Sequence, residues 1–277
     1  MQSTCRLTNF AVDLKRVEVM STVLYSSPVF GPVHSRRLGV SLGINLMPAD
    51  GKICTFDCIY CECGRNGTHH PKHHRPTRKE VYDVLRATLE DMKANGPEPN
   101  VLTFAGNGEP TANPEFPGIV DDVVALRDEF FPQAKVSVLS NGTRVTDPAI
   151  FKALLKLDNN IQKLDTVDMD YIRLIDCPVG HYDLDAIIKA LCDFKGHVII
   201  QTMFLTGTLD GRDMDNTTDM YVLPWIETVK KIAPSQVMIY TVDRETPVST
   251  LKKASREQLD RIAGMLRANG IETSVSY

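Results

Sequence analysis

The sequence predicts an α/β fold in which a parallel sheet winds into a partial (β/α)6 TIM-like barrel. Three observations predict it. Short β-like runs alternate with amphipathic helical runs from about residue 40 to the end. Such alternation builds right-handed βαβ units around a parallel sheet. About six units are present, too few to close an eight-stranded barrel and suited to an open one.

Residues 40–46 read as a strand that ends before Pro48. Residues 79–95 read as a helix, because Val81, Val84, Leu85, Leu89 and Met92 recur on one face. A strand over 101–105, a helix over 114–130 and a strand over 135–139 follow. Residues 147–157 read as a helix with Asp147 as N-cap and Pro148 at its first position. Residues 162–167 form a weaker strand, 183–194 a helix through Leu184, Ile187, Ile188 and Leu191, and 197–205 a strand. The helix over 219–232 carries Val222, Ile226 and Val229, and the strand over 236–241 succeeds it. The helix over 255–269 carries Leu259, Ile262 and Leu266 and stops at Gly270. Residues 271–276 are a last short strand. In such sheets reactive groups gather at the C-terminal strand ends, and the motifs below each follow a predicted strand.

The 277 residues, 43% hydrophobic and 24% charged, have ordinary globular composition and length for one large α/β domain. A net charge of -4 gives no bulk support for nucleic-acid or membrane binding, although a local basic patch stays compatible with it. No apolar run approaches the roughly 18 residues of a membrane span. Residues 1–20 lack the apolar core of a secretory signal. A cytoplasmic location, with reduced thiols, is the expectation. Patterning divides the chain into an N-terminal extension, 1–27, and a domain, 28–277. For residues 1–19, an upstream start before Met20 and a short extra element are both open.

Of the seven cysteines, four fall within Cys54-Thr55-Phe56-Asp57-Cys58-Ile59-Tyr60-Cys61-Glu62-Cys63. In a reduced compartment such crowding means metal or redox chemistry. Structural zinc usually takes two separated ligand pairs, and here the second pair is missing. A ferredoxin cluster needs four thiolates. The C-x3-C-x2-C spacing of Cys54, Cys58 and Cys61 offers three on a tight loop, enough to hold a [4Fe-4S] cube and leave one iron open for a ligand. A zinc knuckle or a loose set of buried thiols is the alternative. Cys63 reads as a redox-active thiol, a further thiolate or a plain loop residue.

This spacing, with Tyr60 just before the last cysteine, resembles the signature of the radical S-adenosylmethionine (SAM) superfamily. The resemblance implies that the open iron chelates SAM and that reduction releases a 5′-deoxyadenosyl radical, which takes hydrogen from a substrate that the sequence leaves unidentified. It also implies an electron donor such as a flavodoxin or ferredoxin. Gly106-Asn107-Gly108-Glu109, after the second strand, is similar to the family's Gly-Gly-Glu-Pro element, which binds the SAM amino group. Glycines there let backbone approach closely, and a carboxylate suits an ammonium. Asn107 stands where many members have glycine, and an ordinary strand-to-helix turn is the plain alternative. Ser140 and Asn141 look like the family's Ser/Thr-Asn-Gly turn, which implies contacts to the ribose or carboxylate of SAM; a simple Asn-Gly turn is the alternative. Lys163-Leu164-Asp165 is similar to a Lys-x-Asp element that faces the pocket, against a surface ion pair worth little.

Phe30-Gly31-Pro32-Val33-His34-Ser35-Arg36-Arg37-Leu38-Gly39, Ile200-Gln201-Thr202-Met203-Phe204 and Ile239-Tyr240-Thr241-Val242-Asp243-Arg244 together resemble the Fe-S oxidoreductases grouped with wybutosine-synthesis enzymes. That kinship makes tRNA modification an alternative function; a non-catalytic iron–sulfur protein is another. Arg36, Arg37 and Arg244 are candidates for an anion-binding rim or for surface salt bridges. Tyr240 and Asp243, at a predicted strand end, are placed to face substrate. The run His69, His70, His73 and His74 has metal-binding chemistry, but Pro71 breaks its spacing and it reads as a solvated loop. Cys177 and Cys192 read as core or loop thiols.

Overall fold

The computed structural model describes residues 22–35 and 39–277. Its elements are β1 (Val29–Ser35), β2 (Gly39–Ile44), α1 (Arg78–Asn95), β3 (Val101–Phe104), α2 (Phe116–Phe130), β4 (Lys135–Ser140), α3 (Pro148–Leu154), β5 (Asn159–Lys163) and α4 (Met169–Ile175). The second half adds α5 (Leu184–Asp193), β6 (Ile199–Met203), β7 (Leu205–Leu209), β8 (Arg212–Asp213), α6 (Asp219–Ile232), β9 (Gln236–Tyr240), β10 (Leu251–Lys253), α7 (Arg256–Ala268) and β11 (Thr273–Ser276).

The main sheet runs β1-β2-β3-β4-β5-β6-β9-β11. From β2 to β11 every neighbour is parallel, and each strand pairs with the next one wound in, which is barrel rather than doubly wound order. Six helical crossovers link these strands, matching the predicted number of units. Alternation along each strand separates two faces. Leu42, Ile44, Leu102, Phe104, Val136, Val138, Ile200, Val237 and Ile239 share one core with the crossover helices. The intervening residues are smaller or more polar: Ser41 and Thr103 hydrogen-bond across β2 and β3 at 3.0 Å, and Asn159 donates to Ser137 at 2.8 Å.

The helix ends obey local chemistry. Thr77 and Glu80 form a capping box on α1, Asp147 accepts from Ala149 N at the start of α3 ahead of Pro148, and Gly270 (φ +74°) follows α7. Several boundaries differ from the expectation, most of them by one or two residues. The strand expected at 162–167 is β5, Asn159–Lys163, shifted back because its helix-facing positions are polar: Gln162 donates to Asn160, and Asn160 to the His197 carbonyl. The strand expected at 197–205 breaks at Phe204, and β7 joins a separate antiparallel sheet, β10-β7-β8. A 3-10 turn, Pro110–Ala112, precedes α2, and α3 ends at Leu154. The sequence reading lacked β1, which pairs antiparallel with β2, and the short α4. Among the described residues no helix is long and apolar enough to cross a membrane.

Candidate functional site

The cysteine loop leaves β2 and lies over the C-terminal ends of the parallel strands. Its start is laid against the turn after β3: Ile53 N donates to Asn107 O at 3.0 Å and Glu109 N to Ile53 O at 3.3 Å. A Cβ on Gly108 would lie 1.9 Å from Ile53 O, and Gly108 has φ +137°, so only glycine fits. The glycine thus admits the backbone just before Cys54. A Cβ on Gly106 would meet the Asn45 side chain at 2.6 Å. The middle of the loop is pinned to the end of α4: Asp57 N donates to Asp176 O at 2.9 Å and Ile59 N to Ile175 O at 3.0 Å. Asn66 donates its side-chain amide to both Cys54 O and Phe56 O at 3.1 Å.

Cys54, Cys58 and Cys61 are thereby presented by fixed backbone and lie within one another's electrostatic range. Burial, reinforced by the Glu109 carboxylate, pushes the Cys54 thiol up to about 12. Burial raises Cys58 as well. Cys61 goes the other way, to about 6, because the Cys63 thiol hydrogen-bonds it and the Lys52 ammonium stands beside it. Cys63 itself is buried, with its Sγ 3.5 Å from Gly106 O. Among the described residues no group of His, Cys, Asp and Glu side chains is suited to one metal ion. A multi-iron cube takes one thiolate per iron, and three thiols on one anchored loop supply three of them. The residues therefore fit a [4Fe-4S] cluster.

Glu109 is 2% exposed. Its Oε1 accepts from Thr111 N, Thr111 Oγ1 and Ser140 Oγ at 3.0, 2.6 and 2.9 Å, and its Oε2 accepts from Asn141 N at 2.7 Å. It thus ties the β3 turn to the β4 turn. Burial raises its pKa and these donors oppose the rise. Asn141 Nδ2 donates to Thr55 Oγ1 at 2.8 Å and lies 3.6 Å from Cys54 Sγ, so the Ser140-Asn141 turn touches the first thiol. Asn107 points elsewhere: it accepts from Tyr25 N at 2.8 Å and donates to Tyr25 O and Pro48 O at 2.9 and 2.8 Å.

Lys163, Asp165 and Tyr60 meet under the loop. Tyr60 OH and Lys163 Nζ both donate to Asp165 Oδ2, and Lys163 Nζ lies 4.4 Å from the centre of the Tyr60 ring. The pair is buried, not a surface ion pair; the Asp165 side chain is 0% exposed. Asp176, which the sequence reading did not single out, completes the group 3.3 Å from Lys163 Nζ and 3.6 Å from Cys58 Sγ. Burial raises the Asp176 pKa against the pull of Lys163. Burial alone would lower Lys163, but Asp165 and Asp176 more than offset it. Lys52 was missed too; its signal was a lysine two residues before the first cysteine.

Residues 22–27, within the expected extension, pack on the site. Val23 N donates to Glu62 O at 3.0 Å, and Tyr25 is held by Asn107 and by Asn45 Nδ2 at 3.2 Å. The rest of that extension, with Cys5, and Arg36 and Arg37 lie outside the described residues. Arg244 donates to Glu62 at 2.7 Å. The histidines do not converge: His69 meets Thr22, and His74 meets Glu80. Cys177 Sγ donates to Leu174 O at 3.3 Å, and Cys192 Sγ to Lys231 O at 3.6 Å.

A chamber of about 420 Å³ opens beside the loop, lined by Tyr25, Tyr60, Cys61, Met203, Tyr240 and Arg244, at the C-terminal ends of β6 and β9. A larger cavity of about 870 Å³ lies at the other end of the barrel, among the strand starts at Val101, Lys135, Asn159 and Gln236, away from the thiols.

Comparison with known proteins agrees with this geometry. The profile of the Radical SAM superfamily matches residues 50–221, more than half of the chain. A UPF0026 protein of Methanocaldococcus jannaschii is 30% identical over 241 residues, which are 84% of this chain and 69% of that protein. A protein named GTPase Obg from Brachyspira hyodysenteriae is 29% identical over 253 residues, 89% of this chain; the chain spans only 34% of it. Streptococcus suis SuiB bound to S-adenosylmethionine superposes with a TM-score of 0.61 at 13% identity, over 84% of this chain and 50% of that one, a likeness of fold. A [4Fe-4S] cluster and SAM are the cofactors of this family. The chain belongs to the radical SAM superfamily of SAM-cleaving iron–sulfur enzymes.

Proposed function

We propose that Cys54, Cys58 and Cys61 hold the cluster, that SAM lies across the turns after β3, β4 and β5, and that the chamber at β6 and β9 admits a substrate from which hydrogen is abstracted. The observation that supports this reading is the contact of the Ser140-Asn141 turn with Cys54, beside which Glu109 also stands. When bound, the cluster and SAM supply one-electron cleavage of the sulfonium to a 5′-deoxyadenosyl radical. The chain's own residues bind and shield. Glu109 Oε2 takes one protein donor and keeps acceptor capacity for the SAM ammonium. Ser140, Asn141 and the backbone of Gly106 and Gly108 complete that wall, while Asn107 holds it by fastening Tyr25. Lys163 and Asp165 position Tyr60 through the buried network. Tyr240, Asp243 and Arg244 face the substrate chamber. Residues 22–27 work with the domain, because Val23 and Tyr25 are fastened to Glu62 and Asn107. The electron comes from a flavodoxin or ferredoxin, and the substrate is a molecule that fits the chamber.

Glu109→Gln tests the SAM-binding wall. Loss of a charge-assisted contact of about 1.5–3 kcal/mol weakens SAM binding by roughly 10- to 150-fold. Iron content stays near wild type, because Glu109 is not a thiolate. Equilibrium dialysis of radiolabelled SAM against anaerobically reconstituted protein measures it. Unchanged affinity in an iron-loaded variant removes Glu109 from the SAM site.

A further inference from the structure

Lys52 is 2% exposed, an unusual burial for an ammonium. Its Nζ donates to Gly64 O at 2.8 Å, across the loop that begins at Lys52 itself, and Gly64 N in turn donates to Cys61 O at 2.9 Å. Its carboxylate neighbour, Asp57 Oδ1, stands off at 3.5 Å. That carboxylate is shared: Asn66 N donates to it at 2.7 Å, and Arg65 Nη1 lies 3.8 Å from its other oxygen. The ammonium is thus held inside the loop that carries the three thiols, two residues before Cys54 and one hydrogen-bonded residue from Cys61. The other buried cation of the site, Lys163, is taken up by Asp165 and Asp176. A buried ammonium with a stretched, shared partner is costly unless further anionic charge faces it. Thiolates carrying an iron–sulfur cube supply that charge.

We propose that Lys52 is a positioning residue that compensates the negative charge of the cluster and so sets its reduction potential. This rests on the reading that the three thiolates hold the cube. A cube with three thiolates is anionic when oxidised, and one electron from the donor makes it more so, with no proton taken up. A fixed positive charge inside the loop favours the reduced state, and cluster potentials respond to local charge in this sense. The same ammonium, by holding Gly64, keeps the end of the loop over its start.

The test is an anaerobic redox titration of the reconstituted full chain with dithionite and mediators, followed by the electron paramagnetic resonance signal of the reduced cluster. Lys52→Gln keeps a donor for Gly64 O and removes the charge. It is expected to load iron and to lower the reduced-to-oxidised ratio at a given applied potential at least tenfold, which for one electron is about 59 mV more negative. Lys52→Arg restores the charge and is expected to stay within threefold of wild type. A loaded Lys52→Gln protein whose ratio lies within twofold of wild type overturns the proposal. If Lys52→Gln does not load iron, an Arg variant that loads and titrates like wild type supports it. Failure of both to load overturns it, since a charge requirement predicts rescue by arginine. A wild-type chain that holds no cluster at all fails the underlying reading instead, and so is told apart.

Discussion

Cys58→Ala is expected to strip the chain of its cluster. Cys58 is buried, on backbone anchored to the end of α4 on either side of it, so no other thiol can be swung into its place. With only three thiolates available, loss of one leaves the cube on two, and iron after anaerobic reconstitution falls from about four per chain to under about one. Cys54→Ala and Cys61→Ala behave alike. Cys63→Ala differs: its Sγ caps Gly106 O and hydrogen-bonds Cys61 without being one of the three, so iron content stays near wild type. Iron and sulfide analysis of the four variants decides. Equal loss of iron from Cys63→Ala and Cys58→Ala contradicts the three-thiolate assignment.

Gly108→Ala is expected to have an effect nearly as large, though Gly108 carries no ligand. The added methyl would meet Ile53 O at 1.9 Å and the Ile53 carbonyl carbon at 2.6 Å. Both are backbone, so no rotamer relieves the clash, and the next residue in the chain is Cys54. The position also has φ +137°, a region that costs a residue with a Cβ about 1–3 kcal/mol. The loop must therefore lift, and Cys54 and its contact from Asn141 go with it. Iron loading is expected to drop at least threefold, with a lower thermal midpoint. Gly264→Ala, where nothing lies within 4 Å of the new methyl, is the control and is expected to match wild type. Full loading of Gly108→Ala would show that the seat of the loop is more tolerant than its geometry implies.

The parallel strands and crossover helices were legible because each has its own signal: β3 is a short run buried at all four positions, and α1 buries Val81, Leu85, Leu89 and Met92 on one stripe. The misses have specific causes. In β5, Asn160 and Gln162 occupy helix-facing positions that apolar patterning does not reveal. α4 has seven residues, too few to show a face, and β1 is interrupted by Gly31-Pro32, where its register with β2 shifts. In the site, cysteine spacing is local and was readable. The tasks of Asn107 and Asp176 are long-range, defined by Tyr25 for the first and Cys58 for the second, and that of Lys52 depends on how the loop folds back on Gly64. The close approach that Gly108 allows to Ile53 of the same chain is likewise visible only in the folded chain.

The most direct measurement of the account is the fate of SAM. Anaerobically reconstituted chain, given SAM and dithionite, is expected to release 5′-deoxyadenosine and methionine in step, with at least one equivalent formed per cluster and none from Cys58→Ala. Liquid chromatography of the quenched reaction reads both products. A protein that carries a full cluster and binds SAM, yet yields no 5′-deoxyadenosine above the Cys58→Ala background, would contradict the assignment of this loop and its neighbouring turns as a SAM-cleaving site.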